Sequence, residues 1–427
     1  MSALARVDRR ALLGGGVAAV AASFALARRP ALAQVDARVV VVGGGFAGAT
    51  CARELRRAGI DAVTLVEPNQ TYTACPMSNA VIVGLREMPA QRFGYDALRA
   101  EGIDVRHQAA VEIDAAGRRV ALDDGSELRF DRLVLAPGIE LRFDAVPGYD
   151  RDAAELMPHA WHAGPQTTLL RERLEAMPDG GLVVMTVPAT PYRCPPGPYE
   201  RASLIAHFLK TRKPRSKLLV LDAKDTFSKQ KLFQAAWAEL YPGLLEWVPQ
   251  AGGGTVTAVD AKAGAVTTDF ATHAAAVANV IPPQRSADIA RRSGAADRTG
   301  WCPIDPVSFE SRLLPGVHVI GDAAIAGAMP KSAFSANAQA KACAVAVAAL
   351  LEGAAPPVPK LINTCYSLVA PGYGISVAGV YAPANGLLAD VPGAGGTSPL
   401  DASAEVRALE AAYAEDWFGT VTAEVFG

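Results

Sequence analysis

Val39-Val40-Val41-Val42-Gly43-Gly44-Gly45-Phe46-Ala47-Gly48 is the stretch whose reading decides the fold. Four consecutive valines make an apolar run that reads as a strand leading into a glycine turn. The glycines that follow place a G-x-G-x-x-G spacing on Gly43, Gly45 and Gly48. Gly43 permits the tight turn, Gly45 lets backbone N–H groups approach a pyrophosphate, and Gly48 lets the next helix pack on the strand. That helix is expected from Ala47 to Ala58, closed by Gly59, with the phosphate at its positive end. A second strand, Ala62 to Val66, ends on Glu67, 24 residues after Gly43, where a carboxylate can accept hydrogen bonds from an adenosine ribose.

Before this unit lies a segment of another kind. Arg9-Arg10 precede an apolar run rich in glycine and alanine, and Ala31-Leu32-Ala33 offers a small-residue cleavage site. Residues 1–33 are therefore expected to be a twin-arginine signal peptide for export of a folded chain to the periplasm. Its removal takes away five arginines and one aspartate, so the net charge moves from −2 to −6. No basic stripe remains, which argues against nucleic acid and anionic lipid as partners. No segment of the mature chain is expected to span a bilayer, and no metal-ligand set is read from it. With 427 residues, half of them hydrophobic, several domains can be buried.

Two later stretches complete the first domain. Leu133-Val134-Leu135-Ala136-Pro137-Gly138 is a strand ending in a tight turn at Gly138, and Val317-His318-Val319-Ile320-Gly321-Asp322 delivers Asp322 to a turn at Gly321. A carboxylate there can bind a polyol hydroxyl while adjacent N–H groups meet phosphate. These three turns, in this order, resemble those of the flavoproteins with two dinucleotide-binding domains, which makes FAD the expected ligand. The fold class expected is α/β: two dinucleotide-binding-type domains of the flavin disulfide reductase superfamily plus a C-terminal α+β interface domain. The first domain is expected over 37–150 and 286–353, the second over 151–285 and the C-terminal one over 360–427.

The second domain departs from the nicotinamide-binding pattern. Its strand, Leu182 to Val187, runs into Pro188-Ala189-Thr190-Pro191-Tyr192-Arg193-Cys194-Pro195-Pro196 in place of a glycine turn. Prolines have no N–H to offer a pyrophosphate, so NAD(P)H is an unsuitable donor and the loop instead presents Cys194. Lys331, at the start of an alanine-rich helix from Ala333 to Leu351, is expected to face the flavin pyrimidine.

Of six cysteines, Cys51 and Cys343 fall in apolar helices and Cys302 reads as structural. Cys75, in Thr73-Ala74-Cys75-Pro76-Met77-Ser78-Asn79, lies where the chain should pass the isoalloxazine ring. Cys194 and Cys365 are 171 residues apart, and the sequence alone cannot pair them. A structural disulfide closing so large a loop could stabilise by roughly 4–5 kcal/mol. The position of Cys194 in place of a cofactor site points toward redox chemistry instead.

In these residues the chain resembles the flavoprotein subunit of flavocytochrome c sulfide dehydrogenase, a relative of sulfide:quinone reductases. The resemblance rests on Thr73 to Asn79, Tyr192 to Glu200, Met329 to Asn337 and Thr364 to Ala370. It implies FAD attached through Cys75 and a redox-active disulfide between Cys194 and Cys365. It also implies sulfide or a related small sulfur species as substrate and a c-type cytochrome subunit as heterodimer partner. Haem c belongs to that partner alone, since no Cys-x-x-Cys-His occurs in this chain. Hydrosulfide would attack the disulfide, leaving a persulfide on one sulfur and a thiolate that we place on Cys365. Glu200 is the nearest candidate general base, with a plain helix-terminus carboxylate as the alternative, and Arg193 could attract the anion.

Three rivals remain at this level. A quinone-linked sulfide reductase would carry a C-terminal amphipathic membrane helix, whereas the closing helix, Ala402 to Trp417, holds Glu405, Arg407, Glu410, Glu415 and Asp416. A type II NADH dehydrogenase is disfavoured by the missing second glycine turn. A flavin-bearing accessory protein of a thiosulfate-oxidising complex would keep the same cysteines.

Overall fold

The structure is a computed structural model that describes residues 35–427; the expected export signal lies outside them. The chain opens with β1 (Val35–Val42), α1 (Phe46–Arg57), β2 (Ile60–Val66) and the short helix α2 (Ser78–Ile82). Strands β3 (Asp104–Arg106), β4 (Arg132–Leu135) and β5 (Ile139–Leu141) follow. The middle of the chain forms β6 (Leu182–Val187), α3 (Gly197–Arg212), β7 (Lys217–Asp222), α4 (Gln230–Leu240), β8 (Leu245–Val248), β9 (Val277–Val280) and β10 (Gln284–Ser286). After β11 (Val317–Val319) and α5 (Ala333–Leu351), the chain ends with β12 (Leu361–Ala370), β13 (Tyr373–Ala384), β14 (Leu387–Asp390) and α6 (Ala404–Phe426).

The first sheet has the order β11-β4-β1-β2-β3 and its pairings are all parallel. The valine run lies at its centre, with Val39 opposite Val63 and Val40 opposite Leu133, and Val39 and Val41 are fully buried. The late strand β11 thus pairs with β4, which brings the Gly321–Asp322 turn beside the glycine turn that follows β1. The second sheet, β8-β7-β6-β9, is also parallel. Where the chain leaves the first sheet and returns to it, β5 and β10 pair antiparallel, Ile139 opposite Ser286.

The C-terminal hairpin β12–β13 and helix α6 do not stand apart as a separate layer. Phe426, next to the last residue, stacks on Tyr72 at 5.1 Å and on Phe93 at 5.4 Å and meets Phe46 edge-on at 5.8 Å. Val369 and Ile375 of the hairpin join the core of the second domain. One terminal segment therefore packs against both nucleotide-binding-type units.

Helix α5 corrects one expectation. At 19 residues it is, by length and composition alone, long and apolar enough to cross a membrane, whereas no mature segment of that apolar length is expected from the sequence. Half of that window is buried in the protein, and the buried face carries Ser335, Asn337 and Gln339, each hydrogen-bonded to the protein. Its apolar length is spent on packing against α1 and the strand β12.

Candidate active site

The first sheet and the C-terminal hairpin enclose a cavity of about 610 Å3, lined at one end by Gly43, Gly44, Gly45 and Glu67 and at the other by Cys75, Cys194 and Cys365. The glycine turn is shaped as the spacing predicts. Gly43 has φ +103°, and a Cβ there would lie 2.3 Å from the Ala136 carbonyl oxygen. A Cβ on Gly48 would lie 1.8 Å from the Gly43 oxygen, so α1 can seat on the strand only with glycine at this position. Glu67 lies beside the turn as expected, but its carboxylate also braces the turn: Oε2 accepts from Gly44 N at 2.8 Å and Oε1 from Asn69 N at 3.0 Å.

Gly138, at φ +69°, and Gly321, at φ +72°, line the same cavity. Asp322 extends into it from the short turn after β11. Its Oδ1 is buried and without a hydrogen-bond partner. Burial pushes this carboxyl up, while the nearby Arg193 and Lys331 cations oppose that shift. A buried carboxylate oxygen without a donor is costly, and a cofactor hydroxyl would satisfy it. The glycine cradle, the acid after β2 and the orphaned Asp322 oxygen together fit a dinucleotide of the FAD type.

Cys75 sits in a loop braced on both sides, because Gln91 Nε2 donates to Ala74 O at 2.8 Å and to Pro76 O at 2.6 Å. Its Sγ lies 3.9 Å from Trp161 O, and the side chain is half-buried on the cavity wall. Arg193 reaches the same carbonyl with Nη2 and feels Cys75 and Asp322 as its leading electrostatic partners.

Cys194 has φ +56°, a left-handed conformation costing a non-glycine residue of order 1–2 kcal/mol. It is held there by its own N–H to Lys331 O at 2.7 Å and by Gly197 N donating to its carbonyl at 2.8 Å. A Cβ on Gly197, the first residue of α3, would come within 3.0 Å of Cys194 Sγ, so the thiol rests on the first turn of that helix. Burial is the main cause pushing the Cys194 thiol upward, with Cys365 and Glu200 adding to it and Arg193 and Lys229 opposing it.

Cys365 projects from β12, buried, with Asn363 Nδ2 3.3 Å from its Sγ. In this structure both cysteines are unbridged thiols. Glu200 stands between α3 and β12: Oε1 accepts from Asn79 Nδ2 at 2.8 Å and Oε2 from Leu368 N at 3.3 Å. Burial pushes this carboxyl up, while the hydrogen bonds from Asn79 and Leu368 and the nearby Lys229 cation oppose that shift.

Lys331 is the site residue that the structure places elsewhere. Its Nζ donates to Asp322 O at 2.8 Å and Ala324 O at 2.7 Å and lies 3.9 Å over the Trp301 ring, outside the cavity lining. Two backbone carbonyls and an aromatic face satisfy the ammonium better than an open cavity would, and burial lowers its pKa to about 8. Arg193 lines the cavity instead, as does Arg92. Arg201, also in the lining, is committed to Asn79, His159, Ala160 and Asn279.

In the second domain, the end of β7 is closed by side chains. Asp222, fully buried, accepts from Tyr199 OH at 2.6 Å and from Trp247 Nε1 at 3.0 Å, and Phe227 stacks on Tyr199 at 3.6 Å. The acid that would hold a ribose in a nucleotide site is here engaged internally.

Comparison with known proteins bears on residues 37–282 and 357–426. Residues 167–282 match the central domain of the sulfide dehydrogenase [flavocytochrome c] flavoprotein chain, residues 357–426 match the flavocytochrome c sulphide dehydrogenase flavin-binding domain, and residues 37–170 match the pyridine nucleotide-disulphide oxidoreductase family. The sulfide dehydrogenase flavoprotein chain of Chlorobaculum thiosulfatiphilum is 58% identical over 45 residues, which cover 94% of that sequence and 10% of this chain. This chain belongs to the flavocytochrome c sulfide dehydrogenase flavoprotein family. Its fold is accordingly the α/β flavin disulfide reductase fold.

Two sulfide:quinone oxidoreductases are similar over longer stretches at lower identity, and the solved structure of one shares the fold. The mitochondrial sulfide:quinone oxidoreductase of Mus musculus is 24% identical over 297 residues, 66% of this chain; the chain spans 65% of that enzyme's length. The sulfide:quinone oxidoreductase structure from Aquifex aeolicus has a TM-score of 0.69 at 18% identity, over 91% of this chain and 92% of that one.

Proposed function

We propose that this flavoprotein oxidises sulfide in the periplasm through a Cys194–Cys365 disulfide and passes the electrons by way of FAD to a c-type cytochrome subunit. The observation that carries the reading is the convergence of Cys75, Cys194 and Cys365, from three separate parts of the chain, on the cavity that the glycine turn and Asp322 close at the other end. A flavin bound here would be able to take up two electrons together and release them singly, which suits a sulfur donor and a haem acceptor.

The residues of the chain divide the remaining work. Gly43, Gly45 and Asp322 seat the dinucleotide, and Cys75 is placed to tether it covalently. Arg193 draws hydrosulfide toward Cys194, whose sulfur rests on the positive end of α3. Glu200 holds or takes the proton released near the sulfur pair. A nicotinamide donor is disfavoured by the proline loop after β6 and by the internal bonding of Asp222.

Support for the partner comes from the outer wall. Phe334 and Trp417 stack at 5.9 Å and line both the cavity and a second groove of about 590 Å3, at whose rim Val345, Val358 and Ile362 are at least half exposed. We take this groove as the face that meets the cytochrome. Export by the twin-arginine route is part of the same reading and rests on Arg9-Arg10. The test is sulfide-dependent reduction of a co-expressed c-type cytochrome by the mature protein and by Cys365→Ala: reduction by the former and its loss in the latter is expected. Equal reduction by both contradicts the disulfide route.

A further inference from the structure

Lys229 lies outside the cavity lining, yet it is the cation that holds the Cys365 strand in place. It immediately precedes α4 with φ +62°, a left-handed backbone that lysine adopts only where its surroundings fix it. The residue is buried, and its Nζ donates to Cys365 O at 2.8 Å, Ser367 Oγ at 2.8 Å and, more weakly, Ile375 O at 3.4 Å. An ammonium has three donors, so this one reaches both strands of the β12–β13 hairpin from the second domain. Glu200 grips the same strand from α3 through Leu368 N at 3.3 Å.

Among the described residues no carboxylate lies within ion-pair distance of Lys229 Nζ. The groups that act on its charge are Cys365, Glu200, Cys194 and Glu410, in that order, and burial leaves its pKa at about 8. A buried ammonium whose leading electrostatic partner is a thiol is arranged for the moment when that thiol becomes a thiolate.

We propose that Lys229 positions Cys365 against Cys194 and is the counter-cation for the thiolate released on Cys365 when sulfide opens the disulfide. The inference rests on the disulfide of the proposed function. In the step, HS⁻ forms a bond to Cys194 Sγ, the S–S bond breaks, and its electron pair leaves on Cys365. The products are Cys194–S–SH and the Cys365 thiolate; the incoming sulfur is oxidised, the disulfide is reduced, and the hydrosulfide proton stays on the outer sulfur.

The test uses the mature holoprotein. Non-reducing peptide mapping first establishes the Cys194–Cys365 bridge. Opening by sulfide is then timed by rapid alkylation and mass spectrometry in wild type, K229M and K229R. At least tenfold slower opening in K229M, with most of the rate restored in K229R, is expected; a fold defect alone would not track the charge. Should K229M fail to fold, K229Q carries the comparison, slowed relative to K229R. A bridge that opens at the wild-type rate in K229M, or equally in K229Q and K229R, overturns the role of Lys229 and leaves the sulfide reading standing. Absence of the bridge in the native protein overturns both.

Discussion

Gly197 leaves the space that Cys194 needs. A methyl group there would press on the thiol at 3.0 Å, tighter than side-chain carbons ordinarily pack, and the left-handed Cys194 has little freedom to move. Gly197→Ala is therefore expected to slow sulfide-driven reactions at least tenfold while flavin content stays at the wild-type level, as measured by stopped-flow absorbance. The second residue-scale prediction concerns Cys75. Acid precipitation of the wild type should leave flavin in the pellet, whereas Cys75→Ala should release it to the supernatant; release from both would show that no covalent bond is made. Much of this site was legible as residues. The glycines were readable because spacing alone fixes their conformation, and Cys194 because prolines stood where N–H groups were needed. Lys331 was misplaced because sequence position locates a backbone and not the direction of a long side chain. Lys229 carried no sequence signal, since a lysine near a helix start usually faces solvent.

At the scale of elements, α6 runs from Ala404 to Phe426, nine residues beyond the end expected from sequence. Gly419, Thr420, Val421 and Thr422 are poor helix formers, so local propensity argued for an earlier stop. Burial of Phe418, Val421, Val425 and Phe426 against the first domain outweighs it. Helix α5 kept its expected bounds because alanine dominates it, while its role as a wall of both the cavity and the outer groove depends on Phe334 meeting Trp417. If that groove receives the cytochrome, Val358→Asp with Ile362→Asp should weaken association at least tenfold by calorimetry and leave sulfide bleaching of the flavin unchanged. Loss of bleaching instead would place these residues in the sulfur site.

For the whole molecule, the order of turns along the chain foretold that β11 returns to the first sheet, and the C-terminal segment's packing against both units could not be read from composition. The sheet also contains a group that links stability to pH. His318, at the centre of β11, is fully buried, with Nδ1 2.8 Å from Ser308 O and Nε2 without a partner. Burial lowers its pKa from 6.5 to about 4. The folded state thus binds fewer protons than the unfolded one between these values, so the stabilisation is complete above about pH 6.5 and is lost as pH falls toward 4. Chemical denaturation at pH 7 and at pH 4.5 should show a loss of order 2–3 kcal/mol in wild type and a smaller loss in His318→Asn. An equal loss in both would assign the acid sensitivity to other groups.

The measurement closest to the central claim is an anaerobic sulfide titration of the mature protein followed by flavin absorbance, beside Cys194→Ala. Bleaching by near-stoichiometric sulfide in the wild type and none in the variant is the predicted result. A wild-type flavin that stays oxidised with sulfide but is reduced by NADH would contradict the account.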